Sequence, residues 1–120
     1  MAGEPIEGQI LLLTAAKASV PATSLPDLID RAQALLEPAL ERYRRDFERF
    51  HADDECEIFL VEWGHWDEIG TELGATDREL SAIRRAHEEQ LTRIGRRTDR
   101  ENEVETALEI REAVVIGVDD

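Results

Sequence analysis

The chain has 120 residues, which suits a single domain, residues 1–120, and 42 % of them are apolar, enough for a modest aliphatic core. One cysteine excludes an internal disulfide, and acidic residues near the N-terminus argue against a secretory signal. The net charge is −14, and no aliphatic run is long enough to cross a bilayer, so we expect a cytoplasmic protein that makes no membrane contact.

The first elements in chain order are a lead and a helix. Residues 1–8 are predicted to be a flexible lead because they contain Gly3, Pro5 and Gly8. Residues 9–19 are predicted to form a helix that Pro21 stops. This helix is apolar on most sides, so we expect it to be buried.

A strong helix signal begins at Ser24, which forms a capping-box-like pair with Asp27. Apolar residues then recur at steps of three and four and keep one stripe facing the same way, at Ile29, Ala32, Leu36, Ala39, Tyr43, Phe47 and Phe50. Pro38 lies inside this pattern and is predicted to kink or split the helix near Leu36 and Glu37.

Residues 51–55 are a polar break, and residues 56–61 are the best strand candidate. Helices are predicted over residues 66–73 and 77–94, separated by Gly74 and Ala75, with Gly95 ending the second. A capping pattern at Thr98 and Glu101 predicts a last helix. Residues 113–118 fit either the end of that helix or a strand paired with residues 57–61.

These elements predict a mainly α fold, a compact bundle of four or five helices with a minor β element at residues 57–61, extended by residues 113–118 if they form a strand. The alternative is a winged-helix arrangement. It needs two strands after Glu103, whereas the capping pattern at Thr98 predicts a helix there.

Residues 66–85 resemble a DNA-binding helix-turn-helix. Gly70 stands where the two helices approach, Gly74 stands in the turn, and apolar anchors follow at Ile69, Leu73, Leu80 and Ile83. The resemblance implies a recognition helix over 77–85 that presents its outward residues to DNA, at Thr76, Asp77, Arg78, Ser81, Ala82, Arg84 and Arg85. The same pattern also fits a plain helical hairpin, and it is similar to a death-fold interaction module.

Charge bears on the DNA hypothesis in both directions. From Arg84 to Arg100 six arginines stand against three acidic residues, and phosphate contacts need such a basic patch. The acidic chain as a whole opposes DNA at ordinary salt.

Lys17 is the only lysine, and the other 13 basic residues are arginines. An acidic, lysine-poor chain resembles the small cytoplasmic proteins of salt-loving archaea, whose carboxylates hold hydrated cations. A GC-rich genome combined with an ordinary acidic protein gives the same composition, and a nucleic-acid mimic is a third interpretation.

Metal and catalytic patterns are weak. His51, Cys56 and His65 lack the spacing of a zinc site, and the acidic stretch 53–57 is interpreted as a solvated loop. Cys56 is predicted to be a small core residue, and His87 a solvated histidine on a charged helix. We therefore expect no catalytic residue, no metal site and no cofactor, and the protein is not expected to be an enzyme.

Trp63 and Trp66 lie within four residues of each other in a chain with few aromatics. Either one anchors the core while the other lies near the surface, where it can form a binding hot spot, or both belong to the core. The leading hypothesis is a non-catalytic accessory protein that binds a protein partner, or itself, through these tryptophans. The alternative is a small helix-turn-helix transcriptional regulator.

Overall fold

The computed structural model describes residues 5–118, which fold around a three-stranded antiparallel sheet. Its strands are β1 (Glu48–Ala52), β2 (Cys56–Glu62) and β3 (Arg111–Gly117), in the order β1-β2-β3. The strand predicted at residues 56–61 is confirmed, and for residues 113–118 the strand alternative is the correct one. In the β2–β3 register, Ile58 lies opposite Val115.

Helices pack around this sheet. Their bounds are α1 (Gly8–Ala18), α2 (Leu25–Leu36), a 3-10 turn (Glu37–Ala39), α3 (Leu40–Asp46), α4 (His65–Leu73), α5 (Asp77–Arg97) and α6 (Glu101–Ile110). The longest helix, α5, is central and packs against α1, α2, α4, α6 and β3.

The fold is therefore mainly α with a minor β element, as predicted. It is not a simple four- to five-helix bundle, because nearly every residue of β2 and β3 belongs to the core. The winged-helix alternative is wrong, since the described residues after Glu103 contain one strand rather than two.

The apolar stripe after Ser24 does not form one helix. It breaks at Pro38 as predicted, and α3 then ends at Asp46, where Phe47 turns to an extended backbone. Phe50 belongs to the stripe in sequence but is a buried residue of β1. Pairing with β2 therefore overrides the helical spacing over this last stretch.

Helix α1 covers the core with one side only. Ile10, Thr14 and Ala15 are buried, whereas Leu12 is 63 % and Leu13 57 % exposed, so the expectation of a buried helix is wrong for its outer face. The prediction of a flexible lead over residues 1–8 is wrong at Ile6, which is buried in the core. Residues 1–4 of that lead lie outside the described residues.

Gly95 does not end α5, which continues to Arg97. A Cβ on Gly95 would lie 2.7 Å from a methyl group of Val104, so the glycine lets α6 approach α5 closely. Two predicted capping pairs are absent as well: neither Ser24 nor Thr98 caps a helix with its side chain, and the Thr98 hydroxyl donates to the Ile94 carbonyl inside α5.

β3 lies at a border of the sheet, yet buried side chains bond its outward backbone groups. Trp66 Nε1 donates to the Ala113 carbonyl at 2.9 Å, and the Val115 amide donates to His87 Nδ1 at 2.9 Å. The side-chain amide of Gln33 donates to the Val115 carbonyl and accepts from the Gly117 amide. His87 is thus fully buried, and the prediction of a solvated histidine is wrong.

Candidate partner-binding site

Helices α4 and α5 are joined by a short turn and approach each other closely. A Cβ on Gly70 would lie 2.7 Å from the Leu80 side chain, so the two helices meet closely there. Gly74 ends α4 with φ +67°, a left-handed conformation that favours glycine. Thr76 accepts from the Glu79 amide and completes a capping box, which sequence analysis did not identify. Two glycines therefore set the contact and the turn between these helices, and the resemblance to a DNA-binding motif stays a prediction.

The residues assigned to DNA contact differ in their exposure. Thr76, Arg78 and Arg85 are exposed, whereas Ser81 and Arg84 are half-buried. Ala82 is fully buried, so the expectation that it points outward is wrong. It faces the core because α5 packs against other elements on several sides.

Most arginines of residues 84–100 form ion pairs with acidic side chains of the same chain. Arg93 and Arg97 both pair with Glu7, which lies just before α1. Arg100 bonds Glu103 and lies over the Phe50 ring. Arg84 lies 3.8 Å from Glu88 and 3.9 Å from Glu112. Of the six arginines in residues 84–100, only Arg85 and Arg96 have no ion pair within the described chain, so little positive charge remains for phosphates.

The two tryptophans have opposite environments. Trp66 is fully buried, bonded to Ala113 and edge-on to His87 with ring centroids 4.5 Å apart. The expectation that Trp66 contacts a partner is therefore wrong in this fold. Trp63 is 66 % exposed, between β2 and α4. Gly64 follows it with φ +96° and begins the turn into α4.

Trp63 lies at a cleft between α3 and the start of α4, which we call the aromatic cleft. It consists of two adjoining hollows of about 390 Å³ and 250 Å³ that share Arg42, His65 and Glu68. The other polar and aromatic side chains that line it are Tyr43, Asp46, Phe47, Glu62, Trp63 and Glu72.

Three rings form the floor of the aromatic cleft. Tyr43 and Phe47 are one helical turn apart, with ring centroids 4.9 Å apart. The His65 ring stands edge-on to both, at 5.5 Å from Tyr43 and 5.2 Å from Phe47. The Tyr43 hydroxyl and His65 Nε2 are joined by a hydrogen bond of 2.5 Å. This packing fixes the floor and leaves Trp63 as the exposed ring beside it.

Burial keeps the Tyr43–His65 pair uncharged at neutral pH. It raises the pKa of Tyr43 above its usual value of 10.0 and lowers the pKa of His65 below 6.5, although the nearby Glu68 carboxylate acts against the lowering at His65. The tyrosine therefore keeps its proton and donates to a neutral imidazole. The charge of the cleft comes from its carboxylates and from Arg42.

The carboxylates of the aromatic cleft outnumber its cations. Arg42 is its single basic residue, and its guanidinium lies 5.5 Å from the centre of the Tyr43 ring. Asp46 pairs with Arg45, whereas Glu62, Glu68 and Glu72 have no ion pair within the described residues. Negative charge therefore accumulates next to aromatic faces.

A second groove offers a contrast within the same molecule. It has a volume of about 490 Å³ and lies between α6 and the sheet, with Phe50, Leu60 and Ile110 among its lining residues. Its charged side chains are neutralised in pairs, Arg111 with Glu48 and Arg100 with Glu103, each at 2.6 Å. Excess negative charge is thus not common to every hollow of this acidic chain.

The residues considered for catalysis and metal binding lie at the turn between β1 and β2, except His65, which begins α4. Cys56 is buried in β2 as predicted, and burial raises the pKa of its thiol to about 12. His51 bonds Asp53 at 2.8 Å, and the same Asp53 carboxylate accepts from the Cys56 amide at 2.9 Å. Within residues 5–118, no three His, Cys, Asp or Glu side chains converge as a metal site.

Trp63 was predicted from the sequence, whereas the rest of the aromatic cleft was not. Tyr43 and Phe47 carry an i, i+4 signal, which placed them on the core-facing stripe of one long helix. No sequence signal joins that stripe to His65, because the contact depends on how β1 and β2 bring α4 back to α3.

A family model described as Domain of unknown function (DUF8048) matches residues 4–118. No curated protein and no solved structure shows a significant match to the chain. Over the described residues, no helix has both the length and the apolar character that crossing a membrane requires.

Proposed function

The chain belongs to this family of unknown function, DUF8048, and we propose that it is a non-catalytic interaction protein that binds a protein partner through the aromatic cleft. The observation that carries the proposal is Trp63, which is 66 % exposed beside a fixed aromatic floor. Tryptophan is enriched among the residues that dominate binding energy, and a rigid surround keeps its ordering entropy low.

The chemistry of the other groups supports binding over catalysis. The Cys56 thiol, with its pKa raised to about 12, stays protonated and buried. The His65 ring is held by Tyr43 in a neutral hydrogen bond. We further propose that the acidic, lysine-poor surface suits a salt-rich cytoplasm.

Affinity capture in molar KCl tests the proposal. Trp63→Ala should bind a stoichiometric partner at least tenfold more weakly than the wild type does. Interface tryptophans commonly contribute more than about 1.4 kcal/mol to the free energy of binding. Ile110→Ala is the matched control, since Ile110 is 68 % exposed but lines the other groove. Equal capture by the two variants, with both folded by circular dichroism, would contradict the proposal.

A helix-turn-helix DNA-binding regulator is the second candidate. The close approach at Gly70 and the left-handed Gly74 favour it. The ion pairs that most arginines of residues 84–100 form within the chain weigh against it. Nucleic acid in the captured material, together with weaker and less salt-dependent DNA binding by Arg85→Ala, would favour this candidate over the first.

A further inference from the structure

We propose that the aromatic cleft receives a basic side chain, an arginine foremost, from the protein partner. This inference rests on the proposed function and adds the chemistry of the residue that enters the cleft. It follows from the aromatic faces, the unpaired carboxylates and the contrast between the two grooves.

The aromatic rings of the cleft offer faces that attract a cation. A guanidinium is attracted to the face of an aromatic ring, and tryptophan attracts it most strongly. Trp63 leaves its ring open to solvent at the mouth of the cleft. The cleft already holds one guanidinium in this way, that of Arg42 beside the Tyr43 ring.

Unpaired carboxylates supply the second part. Glu62, Glu68 and Glu72 line the cleft and have no ion pair within the described residues. Burial is the main cause of the raised pKa of Tyr43, and the charges of Glu72 and Glu68 add to it against the opposing charge of Arg42. An entering guanidinium can bond carboxylates with its planar edge while its face lies on an aromatic ring.

The groove beside α6 excludes the explanation that any hollow in so acidic a chain attracts cations. Its two arginines neutralise its two glutamates. Only the aromatic cleft combines an exposed tryptophan with unpaired carboxylates among the hollows lined by described residues. We therefore assign the basic side chain to this cleft.

Nitrogen-15 NMR of the indole N–H groups provides the test. The chain has two indoles: that of Trp63 is exposed, and that of Trp66 is bonded to Ala113 and serves as an internal control. The probes are blocked Gly-Arg-Gly, Gly-Lys-Gly and Gly-citrulline-Gly, added at the lowest KCl concentration that keeps the protein folded. The arginine peptide should shift the Trp63 signal with the highest affinity, and the uncharged citrulline peptide should bind at least fivefold more weakly.

Charge variants sharpen the test. The double variant Glu68→Gln with Glu72→Gln should bind the arginine peptide about fivefold more weakly, because it removes two exposed ion pairs with the guanidinium. Glu101→Gln with Glu105→Gln on α6 changes the net charge equally and should leave the affinity unchanged. Equal binding of the arginine and citrulline peptides, or equal weakening by the two double variants, would overturn the inference.

The two proposals fail in different ways. If Trp63→Ala loses the captured partner while arginine and citrulline peptides bind alike, the interaction function stands and the basic side chain is wrong. If the arginine peptide binds selectively while Trp63→Ala captures as the wild type does, the cleft takes a cation but is not the partner site.

Discussion

His87 is a histidine enclosed in the core with one defined hydrogen bond. The Val115 amide donates to its Nδ1, so the proton of the neutral ring is on Nε2, which has no partner within the described structure. Burial lowers the pKa of His87 to about 3. Protonation would place an uncompensated charge in the core, so this residue links folding to pH.

The pH dependence of stability should reveal this link. Below about pH 6.5 the unfolded chain binds a proton at His87, whereas in the folded chain His87 stays neutral. The free energy of unfolding should therefore fall by up to about 1.4 kcal/mol for each unit by which the pH is lowered. Urea unfolding at fixed KCl between pH 6.5 and 5 measures this slope. Towards pH 5 the unfolded chain also begins to protonate carboxylates whose folded pKa values are lowered, such as Glu57, and this adds a slope of the same sign.

His87→Asn is the control, because its amide oxygen can accept from the Val115 amide but has no proton to gain. The half-buried His65, with its pKa also lowered by burial, contributes a slope of the same sign in both proteins. The slope of the variant should therefore be smaller. Identical slopes would show that His87 does not supply the dependence.

At the scale of elements, two glycines set how closely the helices approach. Gly95 receives a methyl group of Val104, which is buried and branched at Cβ, and Gly70 receives the far end of the half-buried Leu80 side chain. In both cases a Cβ would lie 2.7 Å from the nearest atom of the neighbouring side chain. The end of Leu80 can rotate away from that Cβ, whereas Val104 is held more rigidly.

Gly95→Ala should destabilise the protein by about 1–3 kcal/mol, because overpacking against rigid Val104 outweighs the roughly 1 kcal/mol gain in helix propensity. Gly70→Ala should change stability by less than about 1 kcal/mol, since Leu80 can turn away. Urea unfolding of both variants gives the comparison. A larger loss for Gly70→Ala would refute this account of the helix contacts.

Elements with local signals could be predicted, and those that depend on distant partners could not. The buried strand at Cys56 and the break at Pro38 follow from residue type alone. β1 was hidden because its Phe50 continues a helical spacing, and only pairing with β2 decides its conformation. The cleft was equally hidden, since His65 meets Tyr43 through the fold rather than through sequence.

The whole molecule carries more negative charge than its arginines can offset. The net charge of the chain is −14, and the described residues fold with a radius of gyration of 13.2 Å. Mutual repulsion therefore opposes folding more strongly than it opposes the expanded unfolded chain.

The melting temperature should rise as KCl increases into the molar range, because screening removes this repulsion. Differential scanning calorimetry at neutral pH measures the rise. Repeating the series near pH 4.5, the isoelectric point, is the control, since little net charge remains there to screen. A melting temperature that is flat or falling at neutral pH would refute salt adaptation, and an equal rise at both pH values would assign the effect to general salting-out.

The bonds along the border of β3 also constrain the order in which the protein is completed during synthesis. Gln33, Trp66 and His87 all leave the ribosome before the strand that they bond. Until β3 emerges, β2 lacks one of its two neighbours, and three polar side chains destined for the core lack their partners. The core is therefore completed only when β3 emerges, and until then the open edge of β2 can pair with another chain.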